Sequence, residues 1–330
     1  MRVWALVAGL SFVSVVGRAQ SNAPPLPGNV VDITAGDYFL RAPDTLPAGL
    51  TTFRLRVLQG GHAAWIIKLP VGHRASELVA PAAASQPPAW ATNLGGPGFP
   101  PDKGTTNATL VLEAGEYALI CYVQSAGKAH AQLGMMHAFV VRPAADAKQI
   151  SRALPAPDVA VTMVDHDFRF SRPVHAGRQV VRIENAGHAM HEFKLLRVLP
   201  GHTGRESLAW TPAAKTPPPD EDAGTAATLA PGGAITMIFD LRAGEYTVFC
   251  VPQMSHGMKR IVQVLPRKKV AFGDSREKLR LVVTALAGDN PRALEGDPGL
   301  VPKNREIYWL EWAPVPARVE LPPPRVAKLP

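Results

Sequence analysis

The sequence predicts an all-β fold: two tandem Greek-key β-sandwiches followed by an irregular, proline-rich C-terminal extension. Composition is the first observation behind this prediction, because 33 prolines and 28 glycines against 19% charged residues are typical of short strands joined by turns. The second is size, since 330 residues with 46% hydrophobic content suffice for two domains with cores of their own. The third is an internal repeat of the sequence.

The N-terminal segment is typical of a secretory signal. Arg2 precedes an apolar run from Val3 to Val16, and the small residue Ala19 follows. The run is shorter than the roughly 20 residues that a spanning helix needs. We therefore expect residues 1–19 to be cleaved, with retention as an N-terminal anchor as the alternative. This predicts an exported, periplasmic protein, either free or held at the membrane.

Two stretches of the chain repeat one pattern, in which an Ala-Gly-Glu-Tyr turn leads into an apolar strand that ends in cysteine. The cysteines, Cys121 and Cys250, lie 129 residues apart. Because equivalent cysteines should occupy equivalent places in separate domains, we expect no disulfide between them. The repeat divides the chain into two units, residues 27–143 and 155–266, a linker, residues 144–154, and a C-terminal extension, residues 267–330.

Strand patterns are present within each unit. The segment Thr52–Leu58 alternates apolar and polar residues, as expected for a strand with one buried face. About seven or eight such strands per unit, separated by turn residues, predict a sandwich of two sheets. Short helices are expected near Ser76–Ala80 and Ser207–Trp210.

The second unit resembles the cupredoxins, the family of plastocyanin-like and azurin-like proteins. Asn185-Ala-Gly-His-Ala-Met-His191 is followed by the strand that ends at Cys250, and then by a short loop with His256 and Met258. A type 1 copper site uses two imidazoles and a thiolate in one plane, with a weak axial thioether. The resemblance therefore implies His191, Cys250, His256 and Met258 as a copper ligand set.

The first unit carries part of the same pattern. Its late loop contains Cys121, His130 and Met135. A Gly-His pair recurs in both units, and in the first unit it contains His62. When the two pairs are aligned, Trp65 falls at the position where the second unit has its upstream histidine. An indole has no lone pair for a metal. We therefore expect the first unit to lack a copper site.

The second unit departs from the family pattern at a different point. Only Gly257 separates His256 from Met258, so a tight turn is needed for both to bind one metal, and Met254 is an alternative axial ligand. Catalytic copper centres need further histidines, yet the sequence has no His-x-His and no histidine beside either cysteine. We therefore expect no enzymatic activity.

The C-terminal extension is basic, aromatic and rich in proline. Tyr308, Trp309 and Trp312 are of the type that suits a docking contact with a protein partner or a membrane surface. The net charge of +8 also favours an acidic or anionic partner. Because no dense Lys/Arg run or nucleic-acid motif occurs, nucleic acid is not expected as a partner.

Two functions remain open on the sequence alone. The first is a non-catalytic structural or docking subunit of a membrane-associated photosynthetic or respiratory electron-transfer complex, without copper. The second is a type 1 electron carrier with one copper ion in the second unit. The departures in both units favour the first, so we expect no cofactor, with one copper ion as the alternative.

Overall fold

A computed structural model describes the chain over residues 25–84, 86–102, 104–144 and 153–267. The predicted signal segment, residues 1–19, lies outside these residues, as do Tyr308, Trp309 and Trp312 of the predicted docking region. Within the described part of the chain, no helix is long and apolar enough to cross a membrane.

The described residues form an all-β fold, as predicted. The first unit has eleven strands. They are β1 (Asn29–Gly36), β2 (Phe39–Arg41), β3 (Thr45–Pro47), β4 (Gly49–Val57), β5 (Trp65–Leu69), β6 (Thr92–Asn93), β7 (Thr106–Leu112), β8 (Gly115–Ile120), β9 (Gln124–Ser125), β10 (Lys128–Ala129) and β11 (Met136–Arg142).

The second unit repeats nine of these strands and lacks only the small β9–β10 hairpin. Its strands are β12 (Val159–Val164), β13 (Asp167–Phe170), β14 (Val174–His175), β15 (Gly177–Asn185), β16 (His191–Val198), β17 (Asp220–Leu229), β18 (Ala234–Leu241), β19 (Gly244–Phe249) and β20 (Lys259–Leu265). The helical segments are 3-10 helices Ala75–Leu78, Pro81–Ala84, His130–Leu133 and Val251–His256, and α1 (Gly204–Ala209).

The strands build two sandwiches that share one sheet. An eight-stranded sheet runs through both units in the order β13-β12-β15-β18-β7-β4-β1-β2. A five-stranded sheet, β3-β11-β8-β5-β6, covers it in the first unit, and β14-β20-β19-β16-β17 does so in the second. In each unit the first strand pairs in parallel with the fourth of that unit, β1 with β4 and β12 with β15. The duplicated topology is the structural counterpart of the sequence repeat.

The core of each sandwich contains a trio of aromatic side chains in which neighbouring ring centroids lie 5.3–6.2 Å apart. Burying one such ring contributes about 1.5–3 kcal/mol, so each trio stabilises its sandwich by several kcal/mol. The trios are Phe53, Tyr117 and Phe139 in the first unit and Phe168, Phe193 and Phe239 in the second.

The repeated Ala-Gly-Glu-Tyr motif forms the turn that delivers each cysteine. Its glycines adopt φ of 152° and 144°, a region that side-chain-bearing residues rarely occupy. The tyrosine that follows is buried and donates its hydroxyl back across the turn, Tyr117 to the Glu113 carbonyl at 2.8 Å and Tyr246 to the Arg242 carbonyl at 3.1 Å. The turn thereby fixes the start of β8 and β19, and a cysteine directly follows the last residue of each strand.

The two units meet where β7 lies beside β18. A single residue pair, Thr109 with Thr236, joins these strands in the backbone ladder. Next to it the Asn107 amide acts as a substitute peptide group: Nδ2 donates to the Ile238 carbonyl at 2.7 Å, and Oδ1 accepts from the Ile238 amide at 2.8 Å. One side chain therefore continues the sheet from one unit into the next.

A second contact between the units is made by the glycine-rich segment Gly95–Gly98. Gly98 donates to the Thr225 carbonyl at 2.7 Å, and Ala227 donates to the Gly96 carbonyl at 2.9 Å, so the segment lies along β17. A Cβ atom on Gly98 would approach Thr225 to 2.7 Å. Only glycine permits this close approach of the two backbones.

Candidate metal centre

Three metal-binding side chains of the first unit meet in its interior. They are His62, Cys121 and His130, whose ligand atoms all lie within 4.8 Å of one another. His62 Nδ1 is 3.0 Å from His130 Nδ1, and Cys121 Sγ is 3.6 Å from His130 Nδ1. All three residues are buried, with exposed fractions of 1%, 0% and 3%. Within the described ranges this is the one group of three such residues at that spacing.

The backbone around Cys121 explains why these residues converge. Cys121 follows β8 directly, and its amide donates to the Met135 carbonyl at 3.1 Å. The Met135 amide donates in turn to the His130 carbonyl at 3.0 Å. The cysteine, the second histidine and the methionine are therefore tied together by main-chain hydrogen bonds, and Met135 is fully buried at this place.

The donor set and its spacing fit a trigonal metal site. A metal about 2.0 Å from nitrogen and 2.3 Å from sulfur places coplanar nitrogen and sulfur ligands about 3.7 Å apart, and two nitrogens about 3.5 Å apart. The observed nitrogen–sulfur distance of 3.6 Å matches this value. The nitrogen–nitrogen distance of 3.0 Å is shorter because the two rings form a hydrogen bond. Two imidazoles, a thiolate and a nearby thioether are the ligands of a blue-copper site.

The expectation that the first unit lacks an upstream histidine is corrected by the strand register. Trp65 lies opposite Ile120, one residue before Cys121. In the second unit, Lys194 occupies the equivalent position, opposite the residue that precedes Cys250. Trp65 therefore corresponds to Lys194, and the upstream histidine of the first unit is His62, three residues earlier. Alignment on the Gly-His pairs shifted the comparison by three residues, whereas the 129-residue spacing of the cysteines matches His62 to the second unit's upstream histidine.

The second unit retains only part of the predicted set. His191 Nδ1 lies 3.8 Å from Cys250 Sγ, and both residues are buried, as is Met258. His256, by contrast, is exposed at the end of a 3-10 helix, and the structure does not bring it to the other three. Neither cysteine forms a disulfide, which confirms the prediction from the repeat.

Backbone geometry identifies the residue that occupies the place of the second histidine in this unit. Met258 donates to the Gln253 carbonyl at 3.2 Å, just as Met135 donates to the carbonyl of His130. Gln253 therefore corresponds to His130. The loop from cysteine to methionine is six residues shorter in the second unit, and the whole difference falls between Cys250 and Gln253, where the first unit has the β9–β10 hairpin.

Burial sets the protonation state of the candidate ligands. Desolvation raises the pKa of the Cys121 thiol to about 11, although backbone amides of Ala63 and Val123 oppose this rise by donating toward the sulfur. Desolvation also lowers the pKa of both His62 and His130. The imidazoles are therefore neutral at pH 7 and have lone pairs for a metal, whereas the thiol must lose its proton on binding.

The β9–β10 hairpin covers the second histidine. Ser125, on β9, lies 2.7 Å from His130 Nε2 through its hydroxyl. The ring of Tyr38 meets the His130 ring edge to face, with centroids 5.3 Å apart. A cavity of about 280 Å³ opens beside both imidazoles, and its walls include Asp37 and Phe99. The cavity therefore borders the candidate site on the side of its two histidines.

Comparison with solved structures found cupredoxins and copper enzymes with cupredoxin-like domains. Auracyanin from Roseiflexus castenholzii is 21% identical, with 32% of this chain and 95% of that chain covered and a TM-score of 0.24. The copper-containing nitrite reductase of Thermus scotoductus is 14% identical over 73% of this chain and 61% of that chain, with a TM-score of 0.21. Blue copper oxidase from Nitrosomonas europaea is 12% identical, with 76% of this chain and 90% of that chain covered and a TM-score of 0.21.

No protein-family model matches the chain, and no curated protein matches it. The class of protein is therefore defined by the fold and the geometry on their own: a tandem cupredoxin-like double sandwich with a buried His-Cys-His group in its first unit.

Proposed function

We propose that this chain is a non-enzymatic electron-transfer protein with one type 1 copper site in its first unit. His62, Cys121 and His130 would hold the ion, with the thioether of Met135 as a further candidate ligand. The observation that carries this proposal is the convergence of the three buried side chains at distances that suit a trigonal site. When bound, copper would supply a one-electron couple.

The protein's own contribution is a buried ligand cage. All three ligands are buried, and the adjoining cavity borders the site on the side of its two imidazoles. The main-chain bonds that join Cys121, His130 and Met135 hold the ligand spacing constant. Backbone amides directed at the Cys121 sulfur are of the kind that tunes a reduction potential. These features favour fast electron exchange over substrate binding at the metal.

The second unit has a structural role in this proposal. Gln253 takes the place of a second imidazole, and an amide oxygen is a poor ligand for a site built around sulfur. The copper-free docking function suggested by the sequence is thus the second candidate, and we confine it to this unit. Export to the periplasm and docking on a protein of a membrane-associated electron-transfer complex complete the proposal, supported by the signal-like N-terminus and the charge of +8.

The proposal is tested by electron exchange with small redox partners. Copper-loaded protein is reduced with ascorbate and reoxidised with an oxidised cytochrome c over repeated cycles in a stopped-flow instrument. We expect cycling in the wild type, loss in His62→Gly, and no change in the matched variant His191→Gly from the second unit. Absence of cycling in the wild type, or steady consumption of nitrite or oxygen, would overturn the proposal.

A further inference from the structure

One atom of the candidate site is without a partner in the structure. His62 Nε2 is buried and makes no hydrogen bond. It points toward Asp37, whose Oδ1 lies 3.6 Å away, beyond normal hydrogen-bond distance. An unsatisfied buried polar atom carries a free-energy cost of about 1–3 kcal/mol, so it indicates an interaction that forms in another state of the protein.

Metal binding would require each of the two imidazoles to be in one particular tautomer. The Nδ1 atoms of His62 and His130 lie 3.0 Å apart, so these are the two imidazole atoms that would hold a metal. Each ring must then carry its proton on Nε2 and donate it. His130 Nε2 already has the Ser125 hydroxyl at 2.7 Å. For His62 Nε2, the Asp37 carboxylate is the charged acceptor that faces it.

The local chain is built to keep this carboxylate in place. Gln59 Nε2 donates to Asp37 Oδ2 at 2.8 Å, which leaves Oδ1 for the histidine. Gly60 lies between the two groups with φ of 74°. A Cβ atom at residue 60 would lie 2.9 Å from His62 Nε2 and 3.1 Å from Asp37 Oδ1, so a larger residue would separate them.

The second unit contains the same pair in closed form. Asp165 Oδ1 lies 2.9 Å from His191 Nε2. Asp165 is in the turn that corresponds to that of Asp37, since each is followed by a residue with positive φ, 63° at Tyr38 and 74° at His166. A carboxylate–histidine pair is therefore present in both units. The distance of 2.9 Å in the second unit shows that this turn can bring the carboxylate within hydrogen-bond distance of the histidine.

We propose that Asp37 is the positioning residue of His62: its carboxylate accepts the Nε2 proton, fixes the tautomer that presents Nδ1 to the metal, and strengthens the imidazole as a ligand of oxidised copper. This rests on the proposed function, because it concerns the same site. Carboxylate partners of ligand histidines typically account for 10- to 100-fold in metal affinity. Because the carboxylate increases electron donation, the larger effect should fall on Cu(II).

The test compares three variants that each remove one carboxylate charge. Asp37→Asn keeps an oxygen acceptor but loses the charge. Asp44→Asn removes an exposed carboxylate of the same unit, 3.4 Å from His137 Nε2, and Asp165→Asn removes the corresponding residue of the second unit. Cu(II) affinity is measured by competition with a chelator, the potential by voltammetry, and folding of each variant by near-ultraviolet circular dichroism.

We expect Cu(II) affinity to fall 10- to 100-fold in Asp37→Asn alone, in line with the magnitudes known for such partners. Each tenfold loss confined to Cu(II) raises the one-electron potential by about 59 mV. Asp37→Glu should recover part of both effects. Equal values in Asp37→Asn and Asp44→Asn would overturn the role of Asp37 while leaving the copper site intact. Failure of the folded wild type to bind copper would instead overturn the proposed function.

Discussion

The protonation of Cys121 controls when the candidate site can bind a metal. The thiol has a pKa raised to about 11 by burial, so it is protonated at neutral pH. A metal binds the thiolate, and binding therefore releases one proton at any pH below this value. His62 and His130 have lowered pKa values and are already neutral, so they release none at pH 7 or above.

This proton release predicts a pH dependence of metal affinity. Apparent affinity should rise about tenfold per pH unit between about pH 7 and pH 9, because one proton leaves per metal bound. Chelator competition at pH 7, 8 and 9 measures the slope. A flat profile would mean that the thiol is not a ligand or is already ionised.

Single residues also show how far the site could be predicted. Cys121, His130 and Met135 were identifiable because their order along one loop is a local pattern. His62 was missed because its assignment depends on the register between β5 and β8, which are separated by about fifty residues of sequence. A Gly-His pair is too short to fix that register, whereas strand pairing does so through every hydrogen bond of the ladder.

At the scale of elements, the loop between cysteine and methionine distinguishes the two units. The first unit inserts the β9–β10 hairpin and keeps a histidine five residues before its methionine. The second unit lacks the hairpin and has Gln253 five residues before Met258. Sequence alone did not locate the deletion, because a gap in a loop leaves no periodic signal. The main-chain bonds of the two methionines locate it.

Replacement of this one residue should give the second unit a metal site. Gln253→His would add an imidazole at the place that corresponds to His130, near His191, Cys250 and Met258. We expect this variant to bind one more equivalent of Cu(II) per chain than the wild type in equilibrium dialysis. Met254→His, displaced by one residue, is the matched control and should add none. Equal binding in both variants would contradict the correspondence with His130.

At the largest scale, the described residues form two sandwiches on one continuous sheet. Tandem domains were predictable because the repeat covers most of the chain, and the all-β class followed from composition and alternation. The shared sheet was not predictable, since a single ladder pair and the Asn107 amide make the connection between β7 and β18. A contact made by one polar side chain has no signature in a hydrophobic pattern.

Removal of that side chain should weaken the molecule measurably. Asn107→Ala would leave the amide and carbonyl of Ile238 without partners, at a cost of about 1–3 kcal/mol for each group that stays buried. Urea unfolding gives the free energy of unfolding. Asn29→Ala, on an exposed strand end, is the control and should remain within about 0.5 kcal/mol of wild type. Equal stability of the two variants would show that the junction contributes nothing.

One titration tests the copper site proposed for the first unit. Cu(II) is added to the wild type, Cys121→Ser and Cys250→Ser, and bound metal and the visible spectrum are recorded together. We predict one copper per chain with an intense thiolate-to-copper band in the wild type and in Cys250→Ser, and no such band in Cys121→Ser. A band that survives in Cys121→Ser, or a wild type with no band, would contradict a blue-copper site in the first unit.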